Sequence, residues 1–207
     1  DTESYEFTFT DAVTGSQLDA DALTRDMTQA MENGGGSVEL SVLAIQPDVT
    51  QNDIASQYGL IASAVTNASS SSSNRLSNIR LALQMINGTC LKPGETFSFN
   101  GVVGKRTKEA GYRPAPAYAA MQTVMEYGGG ICQVSSTLYA AVRKAGLEVV
   151  ERYPHSLSVS YIPKGMDATV DWGNKDFKFK NNRSEPIYIA CYVDGFEQVH
   201  VSLYGSL

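Results

Sequence analysis

Along the first fifty residues, apolar and polar positions follow three regimes. Tyr5 to Thr10 alternates Tyr, Phe and Phe with polar residues, which predicts a half-buried strand. Leu23, Met27, Ala30 and Met31 then recur at helical spacing, behind Asp19 or Asp21 as a cap and ahead of Gly34, Gly35 and Gly36 as a stop. Val38, Leu40 and Val42 alternate again toward Ile45. A strand, helix, strand unit of about fifty residues falls below the size that usually holds a core of its own. Serines at 69–73 predict an exposed, flexible connection. After them, Leu76, Ile79, Leu83 and Ile86 mark one face of a helix that Asn87-Gly88 ends. From Pro93 to Tyr127 glycine, proline and aromatics occur with no sustained period, the kind of irregular stretch that often carries function. Val134, Leu138, Ala141, Val142 and Ala145 predict a second long helix over 133–145, stopped by Gly146. Segments 157–162, 168–172, 177–180, 187–193 and 199–204 alternate or are β-branched between turn signals, and read as strands. The predicted fold class is α+β: an antiparallel sheet with a helix bearing the candidate nucleophile, preceded by the small strand, helix, strand unit.

Composition narrows the class. With 43% hydrophobic and 18% charged residues over 207 positions, the chain is globular; disorder, collagen-like repeats and a cysteine scaffold are excluded. No run approaches the length of a membrane span, and DTESYEFTFT has neither the basic start nor the apolar core of a signal peptide. The net charge of -6 is uneven: residues 1–60 hold eleven acidic side chains against Arg25 alone, while residues 61–207 hold eleven acidic against fifteen basic. That step predicts two modules with different partners. The basic residues are scattered, with no aromatic-interleaved run, which argues against nucleic acid. Three cysteines without a CxxC pair and two histidines give no metal site. No cofactor is implied.

One segment carries chemistry. Gly128-Gly129-Gly130-Ile131-Cys132-Gln133-Val134-Ser135 sets a cysteine after three glycines at the start of a helix. Glycines allow close backbone approach to a ligand, and a helix N-terminus favours a thiolate, so Cys132 is a candidate nucleophile with a lowered pKa. It would then alkylate near neutral pH faster than Cys90 or Cys191, whereas a small buried hydrophobe at the same junction would not. His155 follows Cys132 by 23 residues, after the helix and at the head of a predicted strand. That order of cysteine, helix and histidine on a strand is shared by papain-like and transglutaminase-like folds, which makes His155 the candidate base; a surface histidine beside a proline is the alternative. His200, in a terminal strand, reads as structural. For an orienting carboxylate, Asp167, Asp171 and Asp176 are available. A hairpin at 163–166 pairing Ile162 with Asp167 turns Asp176 to the face of His155 and the other two away, a register that one bulge reverses.

These residues resemble the VanW family of bacterial cell-envelope proteins. The resemblance runs from about Leu60 to the C-terminus, through Asn78-Ile79-Arg80-Leu81-Ala82, Pro93-Gly94-Glu95-Thr96-Phe97-Ser98-Phe99-Asn100, Arg106-Thr107, Gly111-Tyr112, the GGGICQVSSTLY block, Pro154-His155-Ser156, Val159-Ser160-Tyr161, Asp167-Ala168-Thr169-Val170 and Asp176-Phe177. Ser136, Ala140 and Lys105 depart from residues the family often has, without touching the candidate nucleophile or base. The resemblance implies a cysteine-dependent L,D-transpeptidase that makes 3-3 peptidoglycan cross-links, acting on stem peptides outside the cytoplasm, with residues 1–52 as the end of a peptidoglycan-binding domain, 53–74 as a serine-rich linker and lead-in, and 75–207 as the catalytic domain. A membrane anchor upstream of Asp1 is expected, and the family's association is with glycopeptide resistance. A stem-peptide hydrolase with the same nucleophile and a non-catalytic wall-binding module are the alternatives. Family motifs include Asp167, so Asp167 and Asp176 both stand as orienting carboxylates. Arg106 and Arg113 are assigned to stem carboxylates, Gly129, Gly130 and Gln133 to the oxyanion, and Tyr112, Tyr118 and Ser135 to the lining.

Overall fold

A computed structural model describes residues 7–119 and 122–207, without the side chains of 118, 119, 122 and 123. The chain divides into two units: residues 8–57, and residues 58–207 together with the N-terminus as far as Phe7.

In the smaller unit, strand β1 (Gly15–Leu18) and strand β2 (Val42–Ile45) pair antiparallel, with helix α1 (Ala20–Glu32) between them and a short helix α2 (Gln51–Ala55) after. Asp19 caps α1 by accepting from the Ala22 N–H at 2.8 Å. The first strand lies at 15–18, not at 5–10; residues 7–10 are irregular and 1–6 lie outside the described residues. Neither helix and neither strand buries a residue fully, as expected of fifty residues.

The larger unit is α+β and built on two antiparallel sheets. Strands β3 (Tyr58–Asn67), β4 (Cys90–Leu91), β10 (Ile187–Val193) and β11 (Gln198–Ser206) form one in the order β3-β11-β10-β4. Strands β5 (Thr96–Ser98), β8 (Glu148–Glu151) and β9 (Lys178–Lys180) form the other in the order β5-β9-β8. The sequence period dictates the larger sheet: Val199, Val201 and Leu203 of β11 and Ile187, Ile189 and Cys191 of β10 alternate into the core. Helix α3 (Ser73–Ile86) buries Leu76, Ile79, Leu83 and Ile86, the predicted stripe. Helix α5 (Ile131–Lys144) is buried on almost every side through Val142, so it is the central helix. It packs on β3 and β11 and, through Tyr139 edge-on to Phe177 at 5.6 Å, reaches the aromatic stack of Phe177, Phe179 and Phe97 at the smaller sheet.

Several expectations shift. Residues 58–67, expected in a linker, are a ten-residue strand paired along β11, and the serines fall in a turn and the first turn of α3, capped by Ser72. The aperiodic stretch 93–127 contains helix α4 (Phe99–Val103) and a hairpin of β6 (Pro114–Ala119) with β7 (Gln122–Tyr127). Segments 157–162 and 168–172 are not strands; only isolated bridges, Tyr153 with Thr169 and Asp171 with Lys175, hold this region. The backbone of 168–170 bonds instead to side chains of α5, through Ser135, Ser136 and Cys132.

Candidate functional site

The glycine turn before α5 is fixed by its neighbours. A side chain at Gly129 would clash with the Ala115 carbonyl oxygen, and at Gly130, with φ +106°, it would meet Arg75 Cγ at 2.7 Å. Asn78 of α3, fully buried, ties the turn to the hairpin: its amide donates to the carbonyls of Gly129 (3.0 Å) and Arg113 (2.9 Å) and its oxygen accepts from the Arg113 N–H (2.8 Å). Cys132 follows on the first turn of α5, its Sγ donating to the Val170 carbonyl at 3.5 Å. It is a free thiol. Burial pushes its pKa up, the opposite of the shift expected from a helix start, while Arg106 and Arg75 pull the other way. The turn explains the difference: the N–H groups of Gly128, Gly129, Ile131 and Gln133 are spent on the carbonyls of Arg113, Glu126, Gly128 and Gly130, so little of the helix's positive end faces the sulfur.

The serines after Cys132 dock the segment carrying the carboxylate. Ser135 donates to the Ala168 carbonyl at 2.6 Å; Ser136 donates to the Cys132 carbonyl at 2.6 Å and accepts from the Ala168 N–H at 2.9 Å. Asp167 is therefore held one residue from α5. The bridge from Tyr153 to Thr169 sets a register that brings His155 to Asp167, and both the His155 N–H (2.6 Å) and Nδ1 (2.7 Å) meet Asp167 Oδ2. Arg152 holds Oδ1 at 3.1 Å and clamps the carbonyls of Asp167 and Gly165. Burial works against the Asp167 carboxylate, but the hydrogen bonds from His155 outweigh it and keep its pKa below the ordinary value. With Nδ1 turned to Asp167, Nε2 is the nitrogen free for proton transfer.

Cys132 and His155 line one cleft of about 740 Å³, which Arg106, Gly129, Gly130 and Gln133 also line. Other expected residues lie elsewhere. Asp176 does not meet His155: it accepts from Ser98 Oγ (2.6 Å) and from the Asn100 (2.9 Å) and Phe177 (2.8 Å) N–H groups, capping α4, because the expected hairpin register does not form. Asp171 lines the cleft but pairs with Asn174. Tyr112 is a core residue beside Met85, Ser135 is fully buried, and Arg113 is exposed outside the cleft. Gln133 spends its amide on Thr66 Oγ1 (3.0 Å) and the Asn67 carbonyl (2.9 Å), which removes it as an oxyanion donor. The Tyr118 side chain lies outside the described residues. Arg106 bonds Asn100 Oδ1 (2.6 Å) and the Gly104 carbonyl (3.1 Å) through one terminal nitrogen, while burial lowers its pKa. His200 stacks on Tyr192 and pairs with Asp194, a structural role.

Residues 74–204 match the family described as VanW like protein. The chain belongs to the VanW family. Among curated relatives of this VanW chain, the uncharacterized protein YoaR of Bacillus subtilis (strain 168) is 42% identical over 174 residues, which is 84% of the chain and 57% of that protein. The vancomycin B-type resistance protein VanW of Enterococcus faecalis (strain ATCC 700802 / V583) is 33% identical over 114 residues, 53% of the chain and 42% of that protein. The chain thus spans about half the length of these relatives. No solved structure matches.

Sequence reasoning missed four residues that build this VanW site. Arg152 gave no signal. Asn78 and Ser136 did, as polar side chains within apolar helical stripes, and Tyr161, which lines the cleft, stood in a recognised motif without a role.

Proposed function

We propose that the protein is a cell-envelope acyltransferase, an L,D-transpeptidase acting on peptidoglycan stem peptides outside the cytoplasm, with Cys132 as nucleophile, His155 as base and Asp167 as the group that orients it. The observation that carries this reading is one cleft lined by both the thiol and an imidazole whose Nδ1 is held by a buried, arginine-clamped carboxylate. In the reaction, His155 Nε2 takes the thiol proton as Sγ attacks the carbonyl of the third stem residue. Collapse breaks the bond to the terminal D-alanine, whose nitrogen leaves with the proton from His155. The amine of a second stem then attacks the thioester, losing its proton to His155 and releasing Sγ. A raised thiol pKa suits this order, since the nucleophile forms when the base and substrate are in place. Arg106, charged and partly unpaired at the cleft wall, is suited to the substrate carboxylate.

Incubating the protein with disaccharide tetrapeptide and weighing the products tests the reading. Cross-linked dimers that vanish in Cys132→Ala are the expected result. Tripeptide monomers alone make the enzyme a hydrolase, and no Cys132-dependent product removes the catalytic reading.

A further inference from the structure

Four buried side-chain polar atoms make no hydrogen bond among the described residues: Arg106 Nη2, Gln133 Oε1, Tyr161 Oη and Thr169 Oγ1. All four residues line the Cys132 cleft. A native interior holds few such groups, since each has given up its hydrogen bond with water for none in return, and their concentration at one cleft marks atoms held ready for a ligand.

Two of these bear on the thiol, the Arg106 guanidinium and the Tyr161 phenol, and Tyr161 is the neutral donor. Its hydroxyl sits close enough to Cys132 to interact electrostatically, and beside Ser136. Ser136 donates to the Cys132 carbonyl and accepts from the Ala168 N–H, and the Tyr161 hydroxyl beside it makes no hydrogen bond of its own. The phenol proton is thus available at the cleft. Burial keeps it on the oxygen through the neutral range, so the group is a donor and not a base. Apart from Arg106 Nη2, side-chain donors at this site are few. The glycine turn consumes the N–H groups of Gly128, Gly129, Ile131 and Gln133, leaving at most those of Gly130 and Cys132, and the Gln133 amide is committed to β3.

We propose that the Tyr161 hydroxyl donates the side-chain hydrogen bond to the oxyanion formed when Cys132 attacks an acyl carbon. The assignment rests on Cys132 being the acyl acceptor. As the Sγ–C bond forms, the carbonyl π pair moves to oxygen, and Tyr161 stabilises that charge while retaining its own proton. Collapse restores C=O and breaks the bond to the leaving group.

Two reagents that reach the same sulfur separate this role from any other. Iodoacetamide alkylates Sγ by displacement at a tetrahedral carbon and forms no oxyanion; p-nitrophenyl acetate acylates it through one. Both rates at Cys132 are read by peptide mapping in the full chain and in Tyr161→Phe, which removes only the hydroxyl, with near-ultraviolet circular dichroism reporting the fold. The expected result is an acylation rate about a hundredfold or more lower in Tyr161→Phe, with alkylation unchanged. Equal losses in both reactions, or undiminished acylation, overturn the proposal. Alkylation without any acylation of the unsubstituted protein overturns the acyl-acceptor reading beneath it.

Discussion

The Cys132 thiol is governed by what surrounds it more than by its place on a helix. Burial raises its pKa above the ordinary 9.0, so alkylation of Cys132 should climb steadily with pH through 9, without a plateau near neutrality, and at pH 7 the exposed Cys90 should label first. Faster labelling of Cys132 than Cys90 at pH 7 would restore the activated-thiolate picture that three glycines and a helix start invite. Asp167 shows the reverse case. Its folded pKa is depressed, so its contribution to stability is complete above the ordinary value of 3.8 and is lost as pH falls through the lower folded value. Asp167→Asn should flatten that acid limb in thermal melts at pH 2 to 5. It should also cut turnover roughly 100- to 10,000-fold, because an amide can no longer fix the imidazole tautomer that leaves Nε2 unprotonated. A variant with wild-type turnover would leave Asp167 a purely structural clamp.

At the scale of elements, the site is a junction of pieces that hold one another through buried polar side chains. The period-two pattern of β10 and β11 and the stripe of α3 were legible because burial alone sets them. Cys132 and His155 were legible as candidates because the chain has only three cysteines and two histidines, and the structure sets both on one cleft. The pairing of His155 with Asp167 was not, because segments 153–155 and 167–169 meet at one bridge and are aligned by Ser135, Ser136 and Arg152, none of which has a local period. The strand β3 was hidden for a related reason: only Ala64 and Thr66 of its ten residues are fully buried, beside one another's partners on β11 and α5, so its sequence shows no strong alternation of large apolar residues. The glycine turn gives this scale its test. Gly129→Ala drives a methyl into the Ala115 carbonyl and should cost about 3 kcal/mol, roughly 6–12 °C in melting temperature, while dulling Cys132 acylation. Gly94→Ala, at φ +81° with open space around it, should cost only the left-handed penalty of about 1–2 kcal/mol and leave acylation intact. Equal melting losses with intact acylation in both would mean that the turn does not position the thiol.

For the whole molecule, the boundary of the folding unit differs from the start of the family-model match. The match begins at residue 74, yet β3 ends at Asn67 and pairs with β11 from Gln198 to Ser206. Removing β3 would strip β11 of its neighbour and expose an open edge. It would also take Thr66 from Thr137 and both partners from the Gln133 amide, leaving buried donors on α5 that cost about 1–3 kcal/mol each against a total stability of about 5–15 kcal/mol. Removing residues 1–57 is gentler: among the described residues it removes the edge contacts of Phe7 with Tyr58, Tyr188 and Tyr204, worth about 0.5–1.5 kcal/mol each, and a unit whose helices and strands bury no residue. A chain of residues 58–207 should therefore be soluble, melt cooperatively and keep the acylation rate of Cys132, whereas residues 74–207 should be recovered unfolded or aggregated. Cooperative melting of the 74–207 chain would show that β3 is an accessory to the sheet. Failure of the 58–207 chain would instead make residues 1–57 part of the same cooperative unit, and the division near residue 58 would not be a folding boundary.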